Sequence, residues 1–540
     1  MSVPAPAATD RPIRWGLAAK VFAVLILLGA VAVLVTGGLG YVRARDVLEE
    51  TIYNQLTAAR QTKARQVETY FRTIRNDLRL LATSKMVIDA ARGFHSAFED
   101  LERKDVDADL GAKVAAWYAE HYMPDVRRLL GKDVAVADYL PQGGAANYLQ
   151  YHYIVANPQP AAQRKLLDDA GDGSTYSRVH ALYHPLLRNA ASTVGFFDFM
   201  LADTRNGRVV YGMVKEVDFA TSLQSGPLQH SNLASAVARC AGIADPSLTC
   251  LEDFAPYLPS GGQPIAFMTA PVIDNGVVIG VLVAQLSIEE IDNVVTGGRR
   301  WRQEGFGATG EAYLVGPNAM VRSGGRLFYE NRDAYFAELK AGGTPADEID
   351  AIRRYGSPVL HQKIDSVATR AALAGVEGTG QVIGDYGKAT LASWGPLAIP
   401  GVNWALVAKV ETEEAFAPVY RLQRDLLIVG AVALLIVLAI GAWLSRSLLG
   451  PLRELRAGVG RFAAGDYGAQ VPVRTSDEIG QLCTAFNGMV GELSAKNIII
   501  ETKNRENEEL LLNVLPGPIA NRLRAGEQSI ADGFAEVTVA

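Results

Sequence analysis

Residues 426–445 read LLIVGAVALLIVLAIGAWLS, with Asp425 before them, Arg446 after them and no charge inside. A second uncharged run covers residues 21–42, between Lys20 and Arg43. Each is long enough to cross the roughly 30 Å hydrocarbon layer as a helix. Arg11, Arg14 and Lys20 precede the first run, and Arg446, Arg453, Arg456 and Arg461 follow the second. Excess positive charge marks the cytoplasmic side, so both chain ends are expected there and residues 43–424 outside. Arg43 and Arg45 weaken that asymmetry, but Asp46, Glu49 and Glu50 follow them closely. The first run is too long for a signal-peptide core and no clean small-x-small site follows it, which predicts an uncleaved anchor.

The 540-residue chain is long enough for several domains. Its 49% apolar content and mean hydropathy of +0.09 fit a membrane protein with large soluble parts. A net charge of −6 and a pI near 5.8 argue against nucleic acid as a partner. Cys240 and Cys250 flank a turn-rich segment in the outer region, where an oxidising compartment favours a disulfide between them. Cys483 is expected to be a reduced core residue on the inner side.

A long amphipathic helix is predicted to leave the membrane, with Ile52, Leu56, Ala59, Val67, Tyr70, Ile74, Leu78 and Leu81 on one face. Two strand-rich modules follow. In the first, residues 195–201 and 208–213 flank a turn ending in Asn206-Gly207, and 265–272 and 277–286 flank Asp274-Asn275-Gly276. Ser287-Ile288-Glu289-Glu290 then reads as a capping-box helix start. In the second module, residues 312–315 pair with 320–322, and 381–385 pair with 389–394. Residues 404–410 make a last strand, which feeds a helix at Thr412. A long helix and two antiparallel modules between two spans resemble a double Cache sensor, an α+β, PAS-like architecture. The stretch Gly305-Phe306-Gly307-Ala308-Thr309-Gly310-Glu311-Ala312-Tyr313-Leu314 resembles its membrane-proximal module. That stretch is also a literal G-x-G-x-x-G. A charged, helix-like segment precedes it and a strand follows, the reverse of a dinucleotide site, so its glycines read as turn formers.

The resemblance implies a small-molecule ligand on the outer side. Tyr176, Arg178, His184, Asp198, Tyr211 and Lys215 are the candidate ligand-binding residues, with Arg178 or Lys215 for a carboxylate and Asp198 for an amine. His180 and His184 share a helix face but have no third ligand, so no metal is expected. An Arg followed shortly by Trp-Tyr, the amino-acid motif of some such sensors, is not evident.

Beyond the second span, Gly450-Pro451 is expected to break or redirect the helix. Leu452, Leu455, Val459 and Phe462 make one apolar seam. After a turn at Gly465-Asp466-Tyr467-Gly468, Thr475 and Glu478 read as a capping box, and Ile479, Leu482, Phe486, Met489 and Leu493 make a second seam. Two short parallel apolar helices need partners, which implies a homodimeric four-helix bundle. Pro451, Gly465-Asp466 and Asp477-Glu478-Ile479-Gly480 stand where a HAMP domain places its signalling residues, and the segment resembles that family. A heptad line then continues through Ile500, Asn504, Asn507, Leu511 and Val514, whose two polar positions weaken the seam but fix its register.

Asn513-Val514-Leu515-Pro516, Ile519-Ala520, Leu523, Gly526-Glu527, Ile530-Ala531-Asp532 and residues 534–539 resemble the lead-in to class III nucleotide cyclases. That family carries its first metal-binding aspartate just beyond this point and works with two divalent metal ions, Mg or Mn. No catalytic residue of that family lies in this chain.

The expected layout is a cytoplasmic N-terminus (1–20), a span (21–42) and an outer double Cache region (43–424, dividing at 292/293). A span (425–446), a HAMP domain (447–495), a coiled-coil connector (496–515) and the start of a cyclase domain (516–540) follow. The expected function is a receptor in a bacterial inner membrane that senses a small ligand and signals to an adenylate or guanylate cyclase. The alternative is a truncated or chemoreceptor-like signalling module without enzymatic output. All seven histidines lie at or before His361, which leaves no phospho-acceptor in the inner part for a histidine kinase.

Overall fold

The computed structural model of the chain describes residues 17–104 and 106–526. The chain divides into two units, Ala44–Val419 and the flanking segments Met1–Arg43 with Tyr420–Ala540. The strand expected at 534–539 lies outside the described residues, as do Arg11 and Arg14.

The larger unit opens with helices. They are the outer part of α1 (Leu17–Ala82), α2 (Lys85–Glu102), α3 (Ala108–Trp117), α4 (Met123–Leu130), α5 (Gly144–Gln150) and α6 (Thr175–Val194). The first sheet follows, as β1 (Asp198–Asp203), β2 (Val209–Gly212), α7 (Asn232–Ala241), β3 (Cys250–Tyr257), β4 (Gln263–Asp274) and β5 (Val277–Ser287). All its neighbours are antiparallel, in the order β2-β1-β5-β4-β3. The β4–β5 hairpin is closed by Asn275 and Gly276, both at positive φ, the backbone that an Asn-Gly hairpin turn needs. Met200, Ala202, Val281 and Val283 face Leu233, Ala236 and Val237 of α7. On the other side, Phe94 of α2 packs against Tyr176 of α6 and Tyr211 of β2, at 5.4 and 4.8 Å between ring centres.

The second sheet is built from β6 (Glu311–Val315), β7 (Gly378–Ile383), β8 (Ala389–Pro396) and β9 (Ala405–Glu411), in the order β6-β9-β8-β7. Helices α8 (Ile288–Thr296), α9 (Arg326–Glu330), α10 (Arg332–Ala341), α11 (Ala346–Tyr355) and α12 (Val367–Leu373) surround it. The hairpin expected at 312–322 forms in short: Arg322 N–H donates to Leu314 O at 2.7 Å and Gly316 N–H to Met320 O at 3.0 Å, around a single Val315–Val321 bridge. Ala319, at φ +60°, sits in its turn, and Met320 also bridges Lys363. Ser287 stands at the N-cap of α8 without the expected side-chain bond.

Three contacts made by buried α1 side chains seat α1 on the second module. Arg60 pairs with Glu377 at 2.8 Å, Lys63 with Glu304 at 2.7 Å, and Phe71 meets Trp404 at 5.4 Å. Asp253 of β3 joins the two modules, accepting from Arg322 Nε and Nη2, both at 3.0 Å, and from Trp404 Nε1 at 3.1 Å. The G-x-G-x-x-G loop is a turn, with Gly305 and Gly307 at positive φ and β6 following it. Its amides are already occupied: Ala308 and Thr309 N–H donate to the Glu414 carboxylate at 2.6 and 2.7 Å.

The cysteine pairing expected from compartment differs from what the structure holds. Cys240, ending α7, and Cys250, opening β3, are buried free thiols. They belong to the same core cluster beneath α7, where they pack as small apolar groups.

In the other unit, the inner part of α1 and α13 (Thr412–Leu444) are two helices long and apolar enough to cross a membrane. Their glycines allow close approach, with an added Cβ on Gly430 lying 3.1 Å from Val33 and one on Gly29 lying 3.4 Å from Val437. The helix does not break at Gly450-Pro451. A π turn, Ser445–Leu449, precedes α14 (Gly450–Ala463), and this wider turn accommodates a proline that has no N–H to give. The turn at Gly465 has φ +96°. The strand-less connector is pinned by Asn487, whose side chain exchanges bonds of 2.9 and 2.7 Å with the Val471 backbone.

The cap of α15 (Glu478–Val514) is Asp477, not a Thr475–Glu478 box. Asp477 Oδ1 accepts from Ile479 and Gly480 N–H at 3.1 Å each, and Thr475 donates to the same carboxylate. A carboxylate one residue before the helix reaches those amides directly and also suits the helix dipole. Leu455, Val471, Cys483, Phe486 and Val490 form the buried core of this region. Leu482, Met489 and Leu493 of the expected seam stay exposed, as do Asn504 and Asn507. The short helix α16 (Gly517–Arg524) follows Pro516, as the two prolines predict.

Candidate functional site

A polar-lined cavity of the first module measures about 850 Å³. Trp117, Tyr122, Phe196 and Phe197 supply aromatic wall, and Arg164, Lys215 and Glu216 supply charge. Lys215 is the only one of the six expected ligand residues that lines it.

The other five stand elsewhere. Tyr176 is buried, with its hydroxyl donating to Val210 O at 2.7 Å. His184 is buried between Tyr211 Oη at 2.9 Å and Lys165 O at 2.7 Å, and Tyr211 itself is fully buried. These three build the wall behind the cavity. Arg178 is exposed on the outer face of α6 and bonds Gly173 O at 3.1 Å, so it is not a ligand residue of this cavity. A helix with Tyr176, Ser177, His180 and His184 turned inward leaves position 178 outside. Asp198 is buried behind the wall, with Oδ1 accepting from Phe199 and Val214 N–H at 2.7 and 3.0 Å.

Lys215 sits at φ +65°, which directs its side chain inward. Its ammonium donates to Gly212 O and lies 4.9, 5.2 and 5.5 Å from the ring centres of Tyr211, Phe219 and Tyr153. Aromatic faces attract a cation, but burial still pulls this amine down to about 7. Burial pushes Asp198 up to about 7, and it also raises Glu216, helped by the charge of Asp218, and Asp218 itself. Burial holds His180 and His184 neutral, the latter down to about 2. No group of three potential metal ligands occurs among the described residues.

Trp117, Tyr122 and Arg164 were not legible in the sequence as site residues. They come from irregular helical segments before the sheet, where no period or motif marks an inward face. Glu216 and Phe197 stood among polar and aromatic residues around the predicted strands, but nothing in their spacing separated them from surface.

Residues 443–495 match the HAMP domain family. The chain is 24% identical over 182 residues to the sensor protein kinase WalK of Staphylococcus epidermidis, covering 33% of this chain and 30% of that protein. It is equally identical over 179 residues to WalK of Staphylococcus aureus, covering 32% of this chain and 29% of that protein. The chain thus spans about a third of the length of these curated relatives. Among solved structures, it is similar to the ligand-binding domain of the Pseudomonas fluorescens chemoreceptor CtaA in complex with L-serine, at 14% identity. That match covers 56% of this chain and 93% of that one, with a TM-score of 0.25. A second is the ligand-binding domain of the Pseudomonas aeruginosa amino acid chemoreceptor PctB in complex with L-Arg, at 14% identity, 57% and 95% coverage and a TM-score of 0.27.

An α+β domain between two candidate membrane helices, followed by a HAMP region, defines a transmembrane sensor that transmits a signal.

Proposed function

We propose that this chain is the receptor part of a bacterial inner-membrane signalling protein. A small ligand occupies the 850 Å³ cavity on the outer side, and the HAMP region carries that occupancy inward as a homodimer. The observation that carries the reading is the HAMP match, which starts at residue 443, within the second candidate span. Leu482, Met489 and Leu493 form an exposed apolar stripe on α15, and a second copy would bury it.

The output is a class III nucleotide cyclase. The helix end at Val514, Pro516 and the short helix Gly517–Arg524 support this, in the order that family uses before its catalytic strand. The two divalent metals would belong to that output domain. A kinase output is the second reading, favoured by the kinase relatives.

Single cysteines at exposed Leu182 and at exposed Ala495, which lies off that stripe, test the topology in spheroplasts. A membrane-impermeant maleimide is expected to label the first in intact cells and the second only after lysis. Labelling of both, or of the second alone, in intact cells overturns the receptor reading. Cyclic nucleotide formation in membranes from the receptor joined to its output domain supports the cyclase. Phosphate transfer from ATP to the protein would support the kinase instead.

A further inference from the structure

A groove runs along the outer part of α1, apart from the cavity of the first module. Its lower half measures about 750 Å³ and is walled by Leu48, Ile52, Leu56 and Ala59 of α1, with Phe306 and Val410 opposite. Its upper half measures about 620 Å³ and is lined by Thr62, Arg65, Gln66 and Thr69 of α1, with Asn293 and Arg300 opposite. The halves share Thr62, Gln66 and Glu304, which makes them one groove. From Leu48 to Thr69 it follows about 32 Å of helix. Gly297 and Gly298, at φ +59° and +67°, end α8 and bring bare backbone to the upper rim.

The two ends differ in what they offer. Below, the wall is apolar and its carboxylates are already engaged. Glu304 pairs with Lys63 at 2.7 Å, and Glu414 accepts from the N–H groups of Ala308 and Thr309. Above, the groove is rich in donors that have nothing to bind. Arg65 is exposed and, among the described residues, makes neither an ion pair nor a hydrogen bond. Arg300 spends only Nε, on Gly297 O at 3.0 Å. Thr62 and Gln66 add further exposed donors beside them.

We propose that this groove binds a long-chain fatty acid, its chain along residues 48–59 and its carboxylate between Arg65 and Arg300. Guanidinium groups present forked donors that match a carboxylate, and the pairing is stronger than one between neutral partners. Each methylene buried on the apolar wall raises affinity by about fourfold. A fatty alcohol brings no charge for the arginines, and an alkylammonium is repelled by them. A short acid leaves the lower wall uncovered. A second copy's α1, running in the same direction along the groove, would set Arg65 near Arg65. The assignment stands apart from the first-module cavity and does not depend on a ligand there. The groove is bordered by α1 and by Glu414 and Ala415 of α13, so a molecule in it touches both helices that continue as the candidate spans.

Photolabelling of the full chain in phosphatidylcholine nanodiscs tests this, with a palmitate that carries a diazirine on its chain. Tryptic peptides are read by mass spectrometry. Saturable labelling is expected on residues 46–60 and 303–322, the peptides that hold most of the apolar wall. Excess palmitate is expected to abolish it, while 1-hexadecanol and hexadecyltrimethylammonium leave it in place. Arg65→Glu combined with Arg300→Glu is expected to weaken palmitate binding by about tenfold or more at an unchanged thermal midpoint. Labelling that never saturates, or that stays within the spans, is bilayer partitioning and overturns the proposal. Equal competition by hexadecanol, or full labelling of the double variant, overturns the carboxylate seat. Ready disulfide formation between two copies of an Ala58→Cys chain would place a second copy in the groove and overturn it as well.

Discussion

Lys409→Ala is expected to destabilise the larger unit by about 3–5 kcal/mol, because it strands two buried carboxylates. Lys409 on β9 stands opposite Glu311 on β6, and its ammonium is 3.1 Å from the Glu311 carboxylate. It also pairs with Asp385, and all three side chains are 6% exposed or less. Its Nζ lies 5.4 and 5.1 Å from the rings of Tyr313 and Tyr386. With the amine gone, Glu311 still accepts from Arg326 N–H at 2.5 Å, but neither charge keeps a counter-ion. Thermal unfolding of the full chain in nanodiscs checks this, with an expected fall of the midpoint of order ten degrees. Neutralising all three groups together, as Lys409→Met with Glu311→Gln and Asp385→Asn, is expected to recover most of the loss. A triple variant as unstable as Lys409→Ala would show that packing, not stranded charge, sets the cost.

Trp404→Ala carries the second large expected loss, also about 3–5 kcal/mol. The indole is fully buried, with Phe71 of α1 at 5.4 Å and Phe254 of β3 at 5.7 Å. Its Nε1 donates to Asp253, the residue that also holds Arg322. Truncation therefore opens a cavity where the long helix and both modules meet, and it removes one bond from the joint. Trp404→Phe keeps most of the volume and loses the bond, so its cost is expected to be about 1 kcal/mol. Denaturant unfolding of the two variants separates the terms. Equal losses in both would mean that the hydrogen bond, not the cavity, dominates.

The parts of the fold that could be read from residues are those where local chemistry leaves one choice. Asn275-Gly276 admits a tight turn at positive φ, so the β4–β5 hairpin was legible, as were the uncharged spans. Residues 320–322 look like a strand by composition and do pair briefly with Leu314 and Gly316, but the bonds of Val321 to Leu360 and Gln362 are tertiary, and no local pattern announces them. The helix start at Glu478 was found two residues out of place, because Asp477 and Thr475 are both good caps and only geometry shows which oxygen reaches the amides. On α15 one apolar pattern serves two faces. Cys483, Phe486 and Val490 turn inward within the chain, while Leu482, Met489 and Leu493 remain uncovered. Period alone cannot divide such a pattern.

The candidate site was less legible than the fold. Of the six expected residues Lys215 lines the cavity, Tyr176, His184 and Tyr211 are buried off its lining, and Arg178 is exposed. A pocket gathers residues from distant segments, and Trp117, Arg164 and Ser260 meet Glu216 only through the fold. That Asp198 stands opposite Gln285 is a property of paired strands, invisible until the register is known.

The central claim is that ligand occupancy outside reaches the paired helices inside. Disulfide cross-linking between two copies of a Leu482→Cys chain, with Cys483 changed to alanine, measures this in membrane vesicles under copper–phenanthroline oxidation. The account predicts that cross-links form and that whichever of putrescine, L-alanine or succinate binds the full chain changes their rate severalfold. No cross-link at Leu482, Met489 or Leu493, or a rate indifferent to a ligand that demonstrably binds, would contradict it.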